Sequence, residues 1–156
     1  MNTELQIILT RIVDVAADPD QLGTVILKGH LLIEEQLSHC LEWAVAEPRF
    51  VREANLRFHQ KLLLARSLEG TDQPAWDMAS TINSLRNEMA HNLASPNRAK
   101  RIQELRRKLQ QLVGQPDVVA RAETASDQEV VGFAIGVCLG VFAAWQNDLR
   151  SERERR

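Results

Sequence analysis

Apolar residues recur at three- and four-residue spacing along most of the chain, which is the period of an α-helix. Six helical segments are predicted, at about 3–17, 19–46, 54–68, 72–93, 96–113 and 127–149. The second has the longest apolar stripe, comprising Leu22, Ile26, Gly29, Ile33, Leu37, Cys40 and Ala44. No pair of strands is predicted. We therefore expect an all-α fold, a single helical bundle of about five to six helices over residues 1–156.

The ends of these segments coincide with residues that stop or start helices. Pro48 follows the second segment, and Gly70 follows the third, where a left-handed terminating residue is favoured. Ser126 and Glu129 have the spacing of a capping box, in which each side chain bonds the other's backbone amide. The stretch between the fifth and sixth helices is predicted to be a polar link.

Composition fits a packed domain in a reducing compartment. Apolar residues make up 44% of the 156-residue chain and charged residues 26%, both near the globular average. Cys40 and Cys138 are far apart, and each lies in an apolar stretch, so we expect two buried thiols and no disulfide. The first residues lack a basic start and an apolar core, so a cytoplasmic location is expected.

Positive charge is concentrated in the fifth helix and at the C-terminus, although the formal net charge is −2. That sum argues against a protein that coats nucleic acid by bulk attraction. The local clusters offer candidate phosphate contacts, or alternatively a solvated helix face and a basic tail at about 150–156. The candidate RNA-binding residues are Arg98, Lys100, Arg101, Arg106 and Arg107.

The last helix contains an uncharged stretch, residues 130–145, with glycines at 132, 136 and 140. Its sixteen residues fall short of the ~20 that a membrane span needs, so no membrane contact is expected. Small residues four apart allow two helix backbones to approach closely. This pattern is typical of a central core helix or of a dimer seam.

The fourth helix carries the candidate chemistry. Its apolar stripe is Met78, Ile82, Leu85 and Met89. Asn83, Asn87 and His91 recur every four residues on another face, with Arg86 beside Asn87. Arg86 and His91 are about 140° apart around an ideal helix. The long arginine stem, a loosened last turn or a second subunit must therefore bring them together.

Residues 85–92, LRNEMAHN, resemble the signature of the HEPN superfamily: an arginine, a polar residue, a short spacer and a histidine. Residues 58–65, FHQKLLLA, are similar to the segment that precedes this signature in several HEPN-like families. These families include the mannitol operon repressor-like group, and the resemblance covers roughly residues 20–112.

The resemblance implies a metal-independent endoribonuclease of the toxin or defence type. His91 would act as general base or acid, Arg86 would hold the scissile phosphate, and Asn87 would orient one of them. The products would be a 2′,3′-cyclic phosphate and a 5′-hydroxyl. Two copies of the motif would face one another across a homodimer and form one cleft. No cofactor or metal is implied, and a neutralising antitoxin or regulatory partner is possible.

Other interpretations remain open. Some HEPN-like domains, the repressor-like ones among them, are non-catalytic regulators or partner-binding modules. Apart from any family, His91 would stabilise a helix C-terminus, and Arg86 would face solvent.

The other histidines fit structural roles. His30 with Glu34 and His39 with Glu35 have the spacing of helix-stabilising pairs, and His59 lies either at the surface or in the same cleft as His91. The spacing of metal ligands in helical bundles is absent, as are a glycine-rich phosphate loop and a nucleophile elbow.

Overall fold

A computed structural model describes residues 22–91, 96–112 and 116–155, with only the backbone for His91, Pro116 and Val118. Over these residues the chain forms seven helices and no strand. The helices are α1 (Leu22–Ala44), α2 (Pro48–Glu53), α3 (Phe58–Glu69), α4 (Pro74–His91), α5 (Asn97–Gln110), α6 (Pro116–Thr124) and α7 (Asp127–Glu154). The prediction of an all-α bundle is confirmed. The predicted helix at about 3–17 lies outside the described residues.

The core forms where α1, α4 and α7 pack on one another. Ile26, Ile33 and Leu37 of the predicted α1 stripe are fully buried. A β-carbon on Gly29 would lie 2.7 Å from Cγ1 of Ile135, so α1 and α7 approach closely at this residue. Trp76 at the start of α4 is also buried, with its ring centroid 4.7 Å from that of Phe142.

Two short helices were not predicted. Pro48 follows the end of α1 as expected, but it also opens α2, because a proline is tolerated in the first turn of a helix. The expected polar link contains α6, which Pro116 opens and whose Ala122 is buried. One buried alanine in nine mostly polar residues gives too weak a period to predict a helix.

Several helix ends differ from the prediction, while the stop signals hold. The third predicted helix begins at Phe58 rather than near residue 54, because Asn55 has a φ of 46° and interrupts the chain there. Gly70 ends that helix with a φ of 75°, as predicted. The capping box of Ser126 and Glu129 is also confirmed. α7 continues to Glu154, so most of the expected basic tail is helical.

The three α7 glycines do not form the close contact within the chain. β-Carbons on Gly132, Gly136 and Gly140 would have no neighbour within 4 Å. α7 is the one described helix long and apolar enough to cross a membrane by length and composition, and 56% of its most apolar window is buried in the bundle. The core helix of a soluble protein passes the same test, so this finding is weak evidence for a membrane.

Both cysteines are buried free thiols, as predicted. Sγ of Cys40 donates to the Phe142 carbonyl at 3.2 Å, and Sγ of Cys138 donates to the Ala75 carbonyl at 3.3 Å. Burial raises the pKa of Cys40 to about 12 and raises the pKa of Cys138 as well. Neither thiol is available as a nucleophile in the folded protein.

Candidate functional site

Helix α4 presents the candidate site because its apolar stripe faces the core. Met78, Ile82 and Leu85 are fully buried, which confirms this stripe. Asn83, Arg86 and Asn87 are three and four residues apart and therefore share the other face. Arg86 and Asn87 are exposed, whereas Asn83 is half-buried.

The guanidinium of Arg86 is exposed and has no carboxylate partner among the residues that the structure describes. Its Nη1 donates to Oδ1 of Asn87 at 3.2 Å. The bond orients the two side chains next to each other and leaves the charge of Arg86 uncompensated. An exposed arginine with spare donors is suited to bind a phosphate or a carboxylate.

His91 is the last residue of α4, and its side chain lies outside the described residues, as do residues 92–95. The relation of His91 to Arg86 therefore stays a prediction. The proposed catalytic roles of Arg86, Asn87 and His91 stay predictions as well.

A groove of about 380 Å³ lies beside Arg86. It runs between the start of α1 and the end of α4, and every lining residue except Thr24 and Arg86 is apolar. The lining residues are Gly23, Thr24, Ile26, Leu27, Arg86, Met89 and Ala90. A β-carbon on Gly23 would lie 2.7 Å from Cε of Met89, so a larger residue there would press on the groove wall. The groove combines an apolar wall with one uncompensated positive charge.

Sequence analysis missed a buried contact between His30 of α1 and Asn83 of α4. His30 is only 5% exposed, and its Nε2–H donates to Oδ1 of Asn83 at 3.0 Å. Glu34, its expected helix partner, instead pairs with Lys61 of α3 at 2.9 Å. The available signal was the position of His30, four residues after Ile26 and within the buried stripe of α1.

The imidazole of His30 is neutral near pH 7. Burial lowers the pKa of His30 below its ordinary value of 6.5, and the positive charges of Arg86 and Lys61 act in the same direction. The bond to Asn83 and the charge of Glu34 oppose this shift without cancelling it. Because an amide oxygen only accepts, the bond to Asn83 fixes the tautomer that carries its proton on Nε2.

The five candidate RNA-binding residues of α5 lie in different environments. Arg101 pairs with Glu88 of α4 and Glu104, each at 3.4 Å, and thereby connects α5 to the helix that carries Arg86. Lys100 and Arg107 are exposed, and Arg98 is half-buried and has a partner.

Arg106 is largely buried between helices. Its guanidinium donates to the carbonyls of Ala122 and Ala125, the latter at 2.9 Å, and lies 3.5 Å from Asp127. These contacts hold α5 against α6 and the start of α7. Whether Arg106 also contacts RNA stays a prediction.

The remaining candidates add no second site. His59 is exposed on α3. Within the described ranges, no group of three or more histidine, cysteine, aspartate or glutamate side chains is placed to hold a metal ion.

Comparison of the chain with protein-family models, with curated proteins and with solved structures finds no match. The site is therefore interpreted from its own residues and geometry.

Proposed function

We propose that the protein is a metal-independent endoribonuclease of the HEPN toxin or defence type. Arg86 binds the scissile phosphate, Asn87 orients it, and His91 transfers the proton of the 2′-hydroxyl or of the leaving oxygen. RNA is the substrate because this chemistry uses the neighbouring 2′-hydroxyl as nucleophile. The motif resemblance supplies the reaction, and the geometry of α4 supports it.

The observation that carries the proposal is the state of Arg86. Its guanidinium is exposed, is oriented by Asn87 and has no carboxylate partner in the described part of the chain. An arginine with a purely structural role would be expected to pair with an acidic residue, as Arg101 does with Glu88. A free guanidinium beside an apolar groove fits a phosphodiester flanked by nucleobases.

The basic helix α5 supports an anionic polymer as ligand. The bond between Arg101 and Glu88 holds α5 next to α4, two residues beyond Arg86. Lys100 and Arg107 are exposed on α5 and are free to neutralise phosphates along the same strand. A substrate longer than one nucleotide would use both helices.

A homodimer is part of the proposal. Leu27 and Leu31 are 48% and 56% exposed, lie four residues apart on α1 and form an apolar row at the edge of the groove. A second copy of the chain that covers this row would bring two α4 helices together. Arg86 of one subunit and His91 of the other would then share one cleft, although they are about 140° apart on a single helix.

The test is RNA cleavage in the presence of EDTA. Wild-type protein should cut labelled total RNA or tRNA and leave 2′,3′-cyclic phosphate ends, identified by mass spectrometry. His91→Ala and Arg86→Ala should each lower the rate a hundredfold or more, the usual effect of losing a general acid–base group or an oxyanion donor. The control is His59→Ala, because this exposed histidine is not placed in the site. Equal cleavage by all four proteins would contradict the proposal.

A second candidate function is a non-catalytic regulator that binds a protein partner. The exposed leucines favour it, since Leu63, Leu64 and Leu68 on α3 extend the apolar surface beyond the α1 row. Intact RNA after incubation with a folded, dimeric wild-type protein would favour this function.

A further inference from the structure

His30 lies where three helices meet behind the candidate site. It bonds Asn83 of α4, and its ring packs against Phe58 of α3 with centroids 4.3 Å apart. Its Nδ1 is buried and has no hydrogen-bond partner among the described residues. Burying a polar atom without a partner costs free energy. A leucine would fill this space without that cost, so packing alone does not explain a histidine.

The bond from His30 determines how Asn83 is oriented. Because Oδ1 of Asn83 accepts from His30, the NH₂ group forms the opposite end of the amide. No described residue accepts a hydrogen bond from that group. Asn83 lies three residues before Arg86 on the same face of α4, so its NH₂ group and the guanidinium are two donors with spare capacity at one site.

We propose that His30 is a positioning residue for the Arg86 site, holding the carbonyl end of Asn83 so that the amide nitrogen joins Arg86 in binding a phosphodiester. The identity of the ligand rests on the proposed function. The orientation of Asn83 rests on the contacts just described. A neutral imidazole is suited to this role, because it donates from Nε2 without adding a second buried charge beside Arg86.

The test compares four variants in binding and in cleavage: His30→Leu, His30→Gln, Asn83→Leu and the double variant His30→Leu/Asn83→Leu. The binding probe is a fluorescent oligoribonucleotide with 2′-O-methyl groups, which lacks the attacking hydroxyl and cannot be cut. Binding is measured by fluorescence anisotropy, and folding is checked by circular dichroism. His39→Leu is the matched control, because His39 is exposed on the same helix, nine residues away.

His30→Leu and Asn83→Leu should each weaken binding by about tenfold, the effect of losing one hydrogen bond to a charged group. The double variant should be no weaker than either single one, because both remove the same interaction. His30→Gln should bind within about threefold of wild type, since glutamine also offers an NH donor to Asn83. A role in packing alone would not predict this rescue.

Wild-type binding by folded His30→Leu would overturn the inference, as would additive losses in the double variant or a failure of His30→Gln to rescue binding. If His30→Leu does not fold, Asn83→Leu tests the same bond from its half-buried side, and wild-type binding by that variant would overturn the inference.

The inference and the proposed function fail in distinguishable ways. If wild type and His30→Leu cut RNA equally well, only the inference is wrong. If wild type binds the probe and shows the expected variant pattern but cuts no RNA, only the proposed catalysis is wrong. If wild type neither binds nor cuts, both are wrong.

Discussion

Two arginines with similar sequence surroundings have opposite environments. Arg86 is exposed with no acidic partner among the described residues, while Arg106 has a side chain only 16% exposed and bonds two backbone carbonyls. Both lie in polar stretches of amphipathic helices, so local pattern does not distinguish them. The difference arises from α6, which was not predicted and which supplies the carbonyl of Ala122. The role of an individual charged residue thus depends on contacts distant in sequence.

These environments separate stability from RNA binding within α5. Arg106→Met should lower the free energy of unfolding by about 1–3 kcal/mol, because carbonyls that accept from a charged group would lose their partner. Arg107→Gln should change stability by less than about 0.5 kcal/mol, since Arg107 is exposed. Urea denaturation measures both.

The same pair is then compared in RNA binding. Arg107→Gln should reduce the salt dependence of binding by about one counterion. Unchanged stability in Arg106→Met would show that its carbonyl contacts are unimportant.

At the scale of helices, the sequence predicted the elements that have a strong apolar period. α1, α4 and α7 follow from their stripes, and their burial is confirmed. The two short helices lack such a period, so the prediction missed them. The α7 glycines suggested a close helix contact, but the close approach occurs at Gly29 of α1, which the period marked only as a core position. A stripe predicts which face is buried and does not predict which neighbour covers it.

Glycine substitutions test where the helices touch. Gly29→Ala should lower stability by about 1–3 kcal/mol through overpacking against buried Ile135, even though alanine is the better helix former. Gly136→Ala should raise stability by up to about 1 kcal/mol, because its β-carbon meets no other atom within 4 Å. Thermal unfolding of both variants measures the contrast. A Gly29→Ala protein as stable as wild type would contradict the close packing of α1 and α7.

At the scale of the whole molecule, the candidate site is incomplete within the described chain. The sequence identified α4 and Arg86 correctly as an exposed polar face, because helical period separates that face from the core. It did not identify His30, because the bond to Asn83 joins residues 53 positions apart. The pairing of Arg86 with His91 depends on assembly, which is a property of two chains.

The homodimer is tested by an α1 substitution. Leu31→Asp should raise the dimer dissociation constant at least tenfold, because each copy would lose about 1.5–3 kcal/mol of apolar burial and bury a charge. RNA cleavage should fall in parallel. Phe50→Asp is the control, since Phe50 is as exposed as Leu31 but lies on α2. Sedimentation velocity over a concentration series gives the result, and identical behaviour of Leu31→Asp and wild type would exclude the α1 row as the interface.

The two buried thiols have a practical consequence for such experiments. Cys40 and Cys138 are enclosed in the core and hydrogen-bonded to backbone carbonyls, so maleimide reagents cannot reach them while the protein is folded. A cysteine introduced on the exposed surface would be the preferred attachment point for a dye or a spin label, with the native pair left in place. The distance between two α4 helices in an assembled dimer is then measurable by paired labels without altering the core.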